Sequence, residues 1–154
     1  MKSVLRYVPV CLFLFYFTSS CRVASIKIVG AKNNGELSLI DAQGNRADTI
    51  EVFPGQKIKW KISKSSNIKS IDSIDKKAQS DDVLRGPARK KHFSRTWKAR
   101  TKTDAELKAL RQYKAQQNQS NEPIYEEYFI DWTDQKGERR RYDPRIQIKS
   151  MTAQ

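Results

Sequence analysis

The chain is poor in the side chains that most active sites need. Its 154 residues include one histidine, two cysteines and two methionines, so a metal centre built from imidazole and thiolate ligands has almost no donors to draw on. Glycine-rich phosphate loops, nucleophile elbows and HExxH motifs are absent from the sequence. These absences exclude the most recognisable catalytic classes, and we expect neither a cofactor nor an enzymatic activity.

Long hydrophobic runs are also missing, apart from one near the N-terminus. Residues 8–17 are uncharged and apolar, follow Lys2 and Arg6, and give way to hydroxyl side chains at residues 18–20. A membrane-spanning helix needs about 20 apolar residues, and this run offers about half that number. The order of a basic start, a short apolar run and a small polar end is typical of a secretion signal. We therefore predict a signal peptide over residues 1–20.

Cysteine usage suggests how the mature chain is held. Residues 18–21, Thr-Ser-Ser-Cys, resemble the lipobox of bacterial lipoproteins, in which the cysteine thiol receives a diacylglycerol before cleavage. The resemblance implies a lipidated Cys21, a short tether over residues 21–24 and a place in the cell envelope. The next residue is not the aspartate that retains some lipoproteins at the inner membrane, which favours the outer one. Thr18 stands where most such boxes have leucine, so cleavage by an ordinary signal peptidase is the alternative.

Acidic residues are scarce beside basic ones. There are 30 Lys and Arg against 17 Asp and Glu, a net charge of +13, which becomes +11 when the two cations of the predicted signal peptide are subtracted. Between Arg85 and Lys114 the sequence has eleven basic residues and two acids, a net charge of +9. A positively charged surface attracts negatively charged partners. This segment is therefore the candidate binding site.

Short alternating runs, broken by glycine and proline turns, dominate the chain from residue 25 onward. In Lys57–Ile62 the sequence KIKWKI places Ile58, Trp60 and Ile62 on one face of a strand and three lysines on the other. Similar runs occur at residues 128–132 and 145–149. About seven such strands predict a mainly β protein, a Greek-key β-sandwich of the cupredoxin-like or immunoglobulin-like kind with antiparallel sheets, formed as a single domain over residues 25–150.

Residues 76–122 depart from this alternation and are predicted as a basic, partly helical insertion. Thr103 and Glu106 have the spacing of a capping box, and Leu107, Leu110 and Tyr113 follow at helical intervals. We therefore expect a helix of about three turns there.

The run from Ile50 to Trp60 resembles the strand, Pro-Gly turn and tryptophan-bearing strand of cupredoxin-like domains. The resemblance implies a small Greek-key sandwich, but the copper chemistry of the family does not follow. A blue-copper site needs two imidazoles and a thiolate, whereas the mature chain has only His92, and its one thiol is the predicted lipid carrier. The sequence thus favours a scaffold without metal ligands.

The basic segment supplies the candidate site, because it combines cations with Phe93 and Trp97. We predict that it binds an anionic ligand: a glycan, a lipid headgroup or an acidic protein, since the extracytoplasmic compartment argues against nucleic acid. The predicted binding residues are Arg89, Lys90, Lys91, Arg95, Trp97, Lys98 and Arg100. The alternative is that the charge only solvates the segment and that the two aromatic rings dock it onto the sheet. A second run, residues 139–141, could extend the patch or could only be solvated at its loop apex.

These features favour a non-enzymatic envelope lipoprotein, held at the membrane by its lipid anchor, that serves as a binding or structural module. The alternative function is a small glycan-directed hydrolase, whose acid and base would come from the pairs at residues 81–82 and 126–127. A concave pocket that holds two carboxylates about 5 to 10 Å apart would favour that alternative.

Overall fold

A computed structural model describes residues 23–119 and 122–149. The predicted signal peptide and Cys21 lie outside these ranges. The elements are β1 (Ala24–Ala31), β2 (Leu37–Ile40), β3 (Thr49–Val52), β4 (Lys57–Ile62), β5 (Ile68–Lys76), β6 (Arg89–Lys90), β7 (Thr96–Arg100), α1 (Asp104–Gln116), β8 (Tyr125–Asp134), β9 (Arg139–Tyr142) and β10 (Arg145–Ile148). Across the described ranges, none of the helical structure has the length and apolar character that a membrane span requires.

The strands form two sheets whose inner faces share one hydrophobic core. The first sheet has the order β2-β1-β4-β7-β6, and the second has the order β3-β10-β8-β5 with β9 beside β8. The indole N–H of Trp60, on the first sheet, donates to the hydroxyl of Tyr128, on the second, at 3.1 Å. Their rings meet edge to face, a favourable geometry for aromatic pairs. The predicted mainly β sandwich with a small helical insertion is confirmed.

Strand alternation decides which side chains enter the core. Ile58, Trp60 and Ile62 of β4 are all buried, as predicted, and the lysines between them point away from the second sheet. The long strand β8 alternates in the same way, so that Tyr128 and Trp132 are fully buried. A shift of β4 by one residue would bury three lysines instead, which fixes its register.

The pairing of the strands differs from the predicted antiparallel sheets. Strand β1 pairs with β4 in parallel, and β10 pairs with β3 in parallel, so both sheets are mixed. Such pairs join segments that are distant in sequence, and no local pattern reports them. The predicted insertion over residues 76–122 is also too broad, because β6 and β7 belong to the first sheet. Trp97 and Ala99 of β7 lie opposite Trp60 and Ile58 of β4, which is why this segment is a strand.

The helix begins as predicted. Thr103 is its N-cap, and the capping box with Glu106 is complete in both directions. Hydrogen bonds from the backbone and side chain of Thr103, together with Arg85, lower the pKa of Glu106 to about 2. Leu107 is buried against the sandwich, whereas Tyr113, expected on the same apolar side, is exposed. Lys114 takes that inner position and pairs with Asp81 at 3.0 Å.

Candidate anion-binding face

The outer face of the first sheet carries a group of cations that we call the cationic face. Because core side chains alternate with outer ones, every second residue of β1, β4 and β7 points to solvent. The cationic face consists of Lys27, Lys57, Lys59, Lys61, Arg89, Lys98 and Arg100. Its members come from four neighbouring strands, so the fold brings together residues that are up to 73 positions apart in sequence.

The cations lie opposite one another across the strands. Lys59 is the cross-strand partner of Lys98, which in turn faces Arg89 on β6. Two further pairs have the same character: Lys57 with Arg100, and Lys27 with Lys61. Neighbouring strands are about 4.8 Å apart and alternate residues along a strand about 6.6 Å apart. The result is a grid of positive charge that extends over four strands rather than a single point of attraction.

No member of the cationic face forms an ion pair within the described residues. All 17 acidic residues of the chain lie in the two described ranges, and none occupies an outer position of β1, β4, β6 or β7. The face is therefore available to an anion from outside the protein.

A shallow, open depression of about 620 Å³ lies at one end of the face. Lys27, Lys61 and Lys64 line it, together with the turn around Gly44. Asp41 also lines the depression, but one oxygen of its carboxylate accepts the backbone N–H groups of Gln43 and Asn45. An anion seated there would therefore meet three ammonium groups and one carboxylate that is already occupied by its own turn.

Only part of the predicted site lies on this face. Arg89, Lys98 and Arg100 belong to it, whereas Lys90 lies opposite the inward-facing Trp97 and Lys91 lies in the following turn; both lysines are exposed. The alternation of KIKWKI already put three further lysines on one outer face, yet the prediction did not connect them with the basic segment. The missing information was the pairing of β4 with β7.

Two predicted binding residues have structural roles instead. Trp97 is only 8 % exposed and packs in the core, so its ring is not a surface for a ligand, because β7 turns it inward. The guanidinium of Arg95 donates to the backbone carbonyl oxygens of Ile68 and Ser63, at 3.2 and 3.5 Å. It ties the β6–β7 hairpin to the turn after β4.

Phe93 does not dock the basic segment onto the sheet, which was the alternative role predicted for it. It lies in the turn of the β6–β7 hairpin, where the N–H of Ser94 donates to the carbonyl of Lys91 at 3.1 Å. Its φ of 53° is left-handed, a backbone region in which non-glycine residues are uncommon. The side chain is fully exposed, with the ring of His92 beside it. The hairpin thus presents an apolar tip flanked by cations.

The second basic run, Arg139 to Arg141, does not extend the face. It forms β9 on the other sheet, where Arg141 pairs with Asp131 at 2.7 Å and Arg140 pairs with Glu138 at 2.5 Å. Asp131 on the adjacent strand and Glu138 just before β9 neutralise these two arginines, so this run does not join the cationic face.

The predicted acid pairs are built into the fold. Glu126 is fully buried, and its Oε2 accepts the backbone N–H groups of Val83 and Leu84 at 2.7 and 2.8 Å. Burial raises the pKa of this carboxyl, although the two hydrogen bonds oppose the shift. Its Oε1 is also buried and has no partner among the described residues. Glu127, on the outer side, pairs with Lys77 and Arg145, as expected of a balancing charge.

A cavity of about 230 Å³ lies beside this buried acid and is lined by Asp75, Asp82, Glu126 and Tyr128 among others. Lys102 holds the carboxylate of Asp82 at 2.5 Å and lowers its pKa. Within the described ranges there is no cluster of three or more His, Cys, Asp or Glu side chains that could hold a metal ion.

The chain matches no known protein-family model, and a search of curated proteins found no significant match. The fold and the charges of the chain itself must therefore carry any functional argument.

Proposed function

We propose that the protein is a non-enzymatic lipoprotein of the cell envelope whose cationic face binds an anionic partner. The ligand class is the one that the charge selects: an anionic glycan, a lipid headgroup or an acidic protein. The proposal rests on a single observation, the seven cations that face one another across four strands without an internal acid.

This arrangement costs stability, which argues against a purely solvating role. Like charges directly opposite on neighbouring strands destabilise a sheet, by roughly 0.2 to 1 kcal/mol for each pair. Solubility alone would be served equally well by cations interleaved with acids. Functional sites are the places where proteins retain such local conflicts. The four like-charge pairs of the cationic face therefore support a role in binding.

The envelope part of the proposal rests on the N-terminal sequence. The short apolar run at residues 8–17 and the lipobox-like residues 18–21 support export and acylation at Cys21. Mass spectrometry of the mature protein tests this part separately. A diacylglycerol on an N-terminal Cys21 is expected, and an intact unacylated chain in the cytosol would contradict it.

The hydrolase alternative has less support. A general acid must reach the bond that it protonates, but Glu126 is fully buried and its Oε2 is committed to two backbone N–H groups. Asp82, another carboxylate at the cavity, is engaged by Lys102 and Lys76. Of the two predicted acid pairs, Glu126 is therefore not accessible to a substrate and Asp82 is paired with two lysines.

Binding to a soluble polyanion tests the role of the cationic face. The detergent-solubilised protein is titrated with inorganic polyphosphate in a series of salt concentrations. Reversal of two central charges, Lys59→Glu with Lys98→Glu, is expected to weaken binding by about tenfold or more, because each cation near an anionic surface contributes about 1 kcal/mol. Binding of the native protein should weaken as salt is added, since salt screens exposed charges.

The matched control is Lys108→Glu with Lys136→Glu. These lysines are exposed, lie on α1 and in the β8–β9 turn, and form no ion pair with a described acid. The control changes the net charge by the same amount but leaves the face intact, so it should bind nearly as the native protein does. Equal losses in both double variants, or an affinity that ignores salt, would contradict the proposal.

A further inference from the structure

We infer that the partner of the cationic face is an anionic lipid bilayer, on which the first sheet lies flat with the Phe93 hairpin inserted at one end. The inference rests on the proposed function and adds the kind of partner and the orientation of the domain. Three observations carry it: the spread of the cations over one face of a sheet, the apolar tip at one end, and the entry of the chain at the other end.

The two ends of the face are set by the strand registers. Ala24, at the start of β1, pairs with Ile58, whose partner on β7 is Ala99. The opposite end is marked by Lys61, which pairs with Thr96, and the turn that carries Phe93 comes just before Thr96. Four residues of extended strand separate the rows of Lys57 and Lys61, about 13 Å. The start of β1 and Phe93 therefore lie at opposite ends.

A lipid on Cys21 would hold the first of these ends at the membrane. Cys21 lies only three positions before Ala24, and an extended chain spans at most about 3.6 Å per residue. The start of β1 can thus stand no more than about 11 Å from the lipidated residue. With that end fixed, the domain either stands on it with Phe93 remote from the bilayer, or lies down on one side.

The charges select the side. A domain lying on the first sheet places the seven cations against the headgroups, where anionic lipids attract them. Lysine and arginine stems can lie along the interface while their charged ends reach the phosphates. On the outer face of the second sheet, Asp131 and Glu127 neutralise Arg141 and Arg145, so that face attracts anionic headgroups less.

Phe93 adds an apolar contact that distinguishes a membrane from a soluble polyanion. Its ring can be buried in the membrane interface, whereas a soluble polyanion offers it no apolar surface. A single exposed phenylalanine is ordinary on a protein surface, but this one lies in the turn next to Lys91 and at the far end of the cationic face. Aromatic side chains beside cations are typical of interfacial membrane binding. Trp60, Trp97 and Trp132, whose indole rings could stack on sugar rings, are all buried, so a glycan would find no tryptophan on the described surface.

The experiment uses Phe93→Trp in the processed protein reconstituted with vesicles. Vesicles of phosphatidylcholine with phosphatidylglycerol are compared with vesicles of phosphatidylcholine alone, with and without brominated acyl chains. The three native tryptophans are buried, so the difference spectrum against the unsubstituted protein reports the new indole. We expect a blue shift and quenching by bromine in the anionic vesicles only. The matched control, Tyr113→Trp on the exposed side of α1, should show neither change.

Adding Lys59→Glu with Lys98→Glu to Phe93→Trp should abolish both signals, because the face then no longer holds the sheet on the bilayer. If the fluorescence of Phe93→Trp stays unshifted in anionic vesicles while polyphosphate binding is intact, the membrane inference is overturned and the proposed function is left in place. If Phe93→Trp shows no blue shift in anionic vesicles and the native protein also fails to bind polyphosphate, both the inference and the proposed function are overturned. An equal shift in neutral vesicles would overturn the electrostatic orientation.

Discussion

The outer faces of the two sheets use charge in opposite ways. On the second sheet the cross-strand partners are acid and base: Asp131 lies opposite Arg141, and Glu127 lies opposite Arg145. On the first sheet they are base and base, as in Lys59 opposite Lys98. Both faces carry several cations, so a count of cations alone does not separate them. The difference shows that a cation remains free to bind a partner where its cross-strand neighbours are not acids.

The largest loss of stability is expected from a substitution of Glu126, the acid on the inner side of the second sheet. Glu126→Ala removes the acceptor of two buried N–H groups, those of Val83 and Leu84. Each unsatisfied buried donor costs about 1 to 3 kcal/mol, so we expect a loss of about 2 to 4 kcal/mol in the free energy of unfolding, measured by urea denaturation. Glu126→Gln keeps an acceptor oxygen and should lose clearly less. Equal losses in the two variants would show that these hydrogen bonds are unimportant.

The second largest loss of stability is expected when a like-charge pair, as found on the first sheet, is introduced on the second sheet. Asp131→Lys replaces an ion pair with Arg141 by a like-charge pair. We expect a loss of about 1 kcal/mol in the free energy of unfolding, since cross-strand charge pairs contribute roughly 0.2 to 1 kcal/mol and the sign is reversed here. Asp131→Asn, which only removes the attraction, is the intermediate case. If Asp131→Lys is as stable as the native protein, cross-strand charge pairs do not affect the stability of these sheets, which would contradict the prediction.

The converse change should stabilise the first sheet. Lys59→Glu places an acid opposite Lys98 and turns a repulsive pair into an attractive one. The free energy of unfolding should rise by about 0.5 kcal/mol, while binding to polyphosphate weakens. A gain in stability with a loss of binding is the signature of a site retained for function. A substitution that lowers stability would contradict the account of the cationic face.

The smallest effect is expected in the pH dependence of unfolding, which should differ between the native protein and Asp131→Asn. The hydrogen bond from Arg141 lowers the pKa of Asp131 below 3.8, and that from Lys77 lowers the pKa of Glu127 below 4.5. A lowered pKa in the folded state contributes stability that is present above these ordinary values and is lost as the pH falls through the folded-state pKa. Unfolding measured from pH 5 downward should therefore have a shallower pH dependence in Asp131→Asn. An unchanged slope would mean that the pair contributes nothing.

Sequence alone predicted the local features of the fold and missed the long-range ones. The inward side of KIKWKI and the capping box of Thr103 with Glu106 follow from spacing within a few residues, and both are confirmed. The burial of Glu126 was not predicted, although it follows the same alternation, since this residue precedes Tyr128 by two positions on one strand. The parallel pairs were not predictable, since nothing near β1 indicates that β4 is its neighbour.

In the candidate site, too, the local features were predictable from sequence and the long-range contacts were not. The basic segment was visible as a run of charge, and three of its residues belong to the cationic face, whereas the role of Arg95 depends on carbonyl groups of a distant turn. The lysines of β4 joined the site only through the pairing of their strand with β7.

The most direct test of the cationic face is a map of where an anion binds. Amide chemical shifts of the protein are recorded by NMR during titration with a short inorganic polyphosphate. The account predicts that the largest changes cluster on β1, β4, β6 and β7, around Lys27, Lys59 and Lys98, and that Arg141 and Arg145 on the second sheet are hardly affected. Changes centred on the second sheet, or spread evenly over all lysines and arginines, would contradict it.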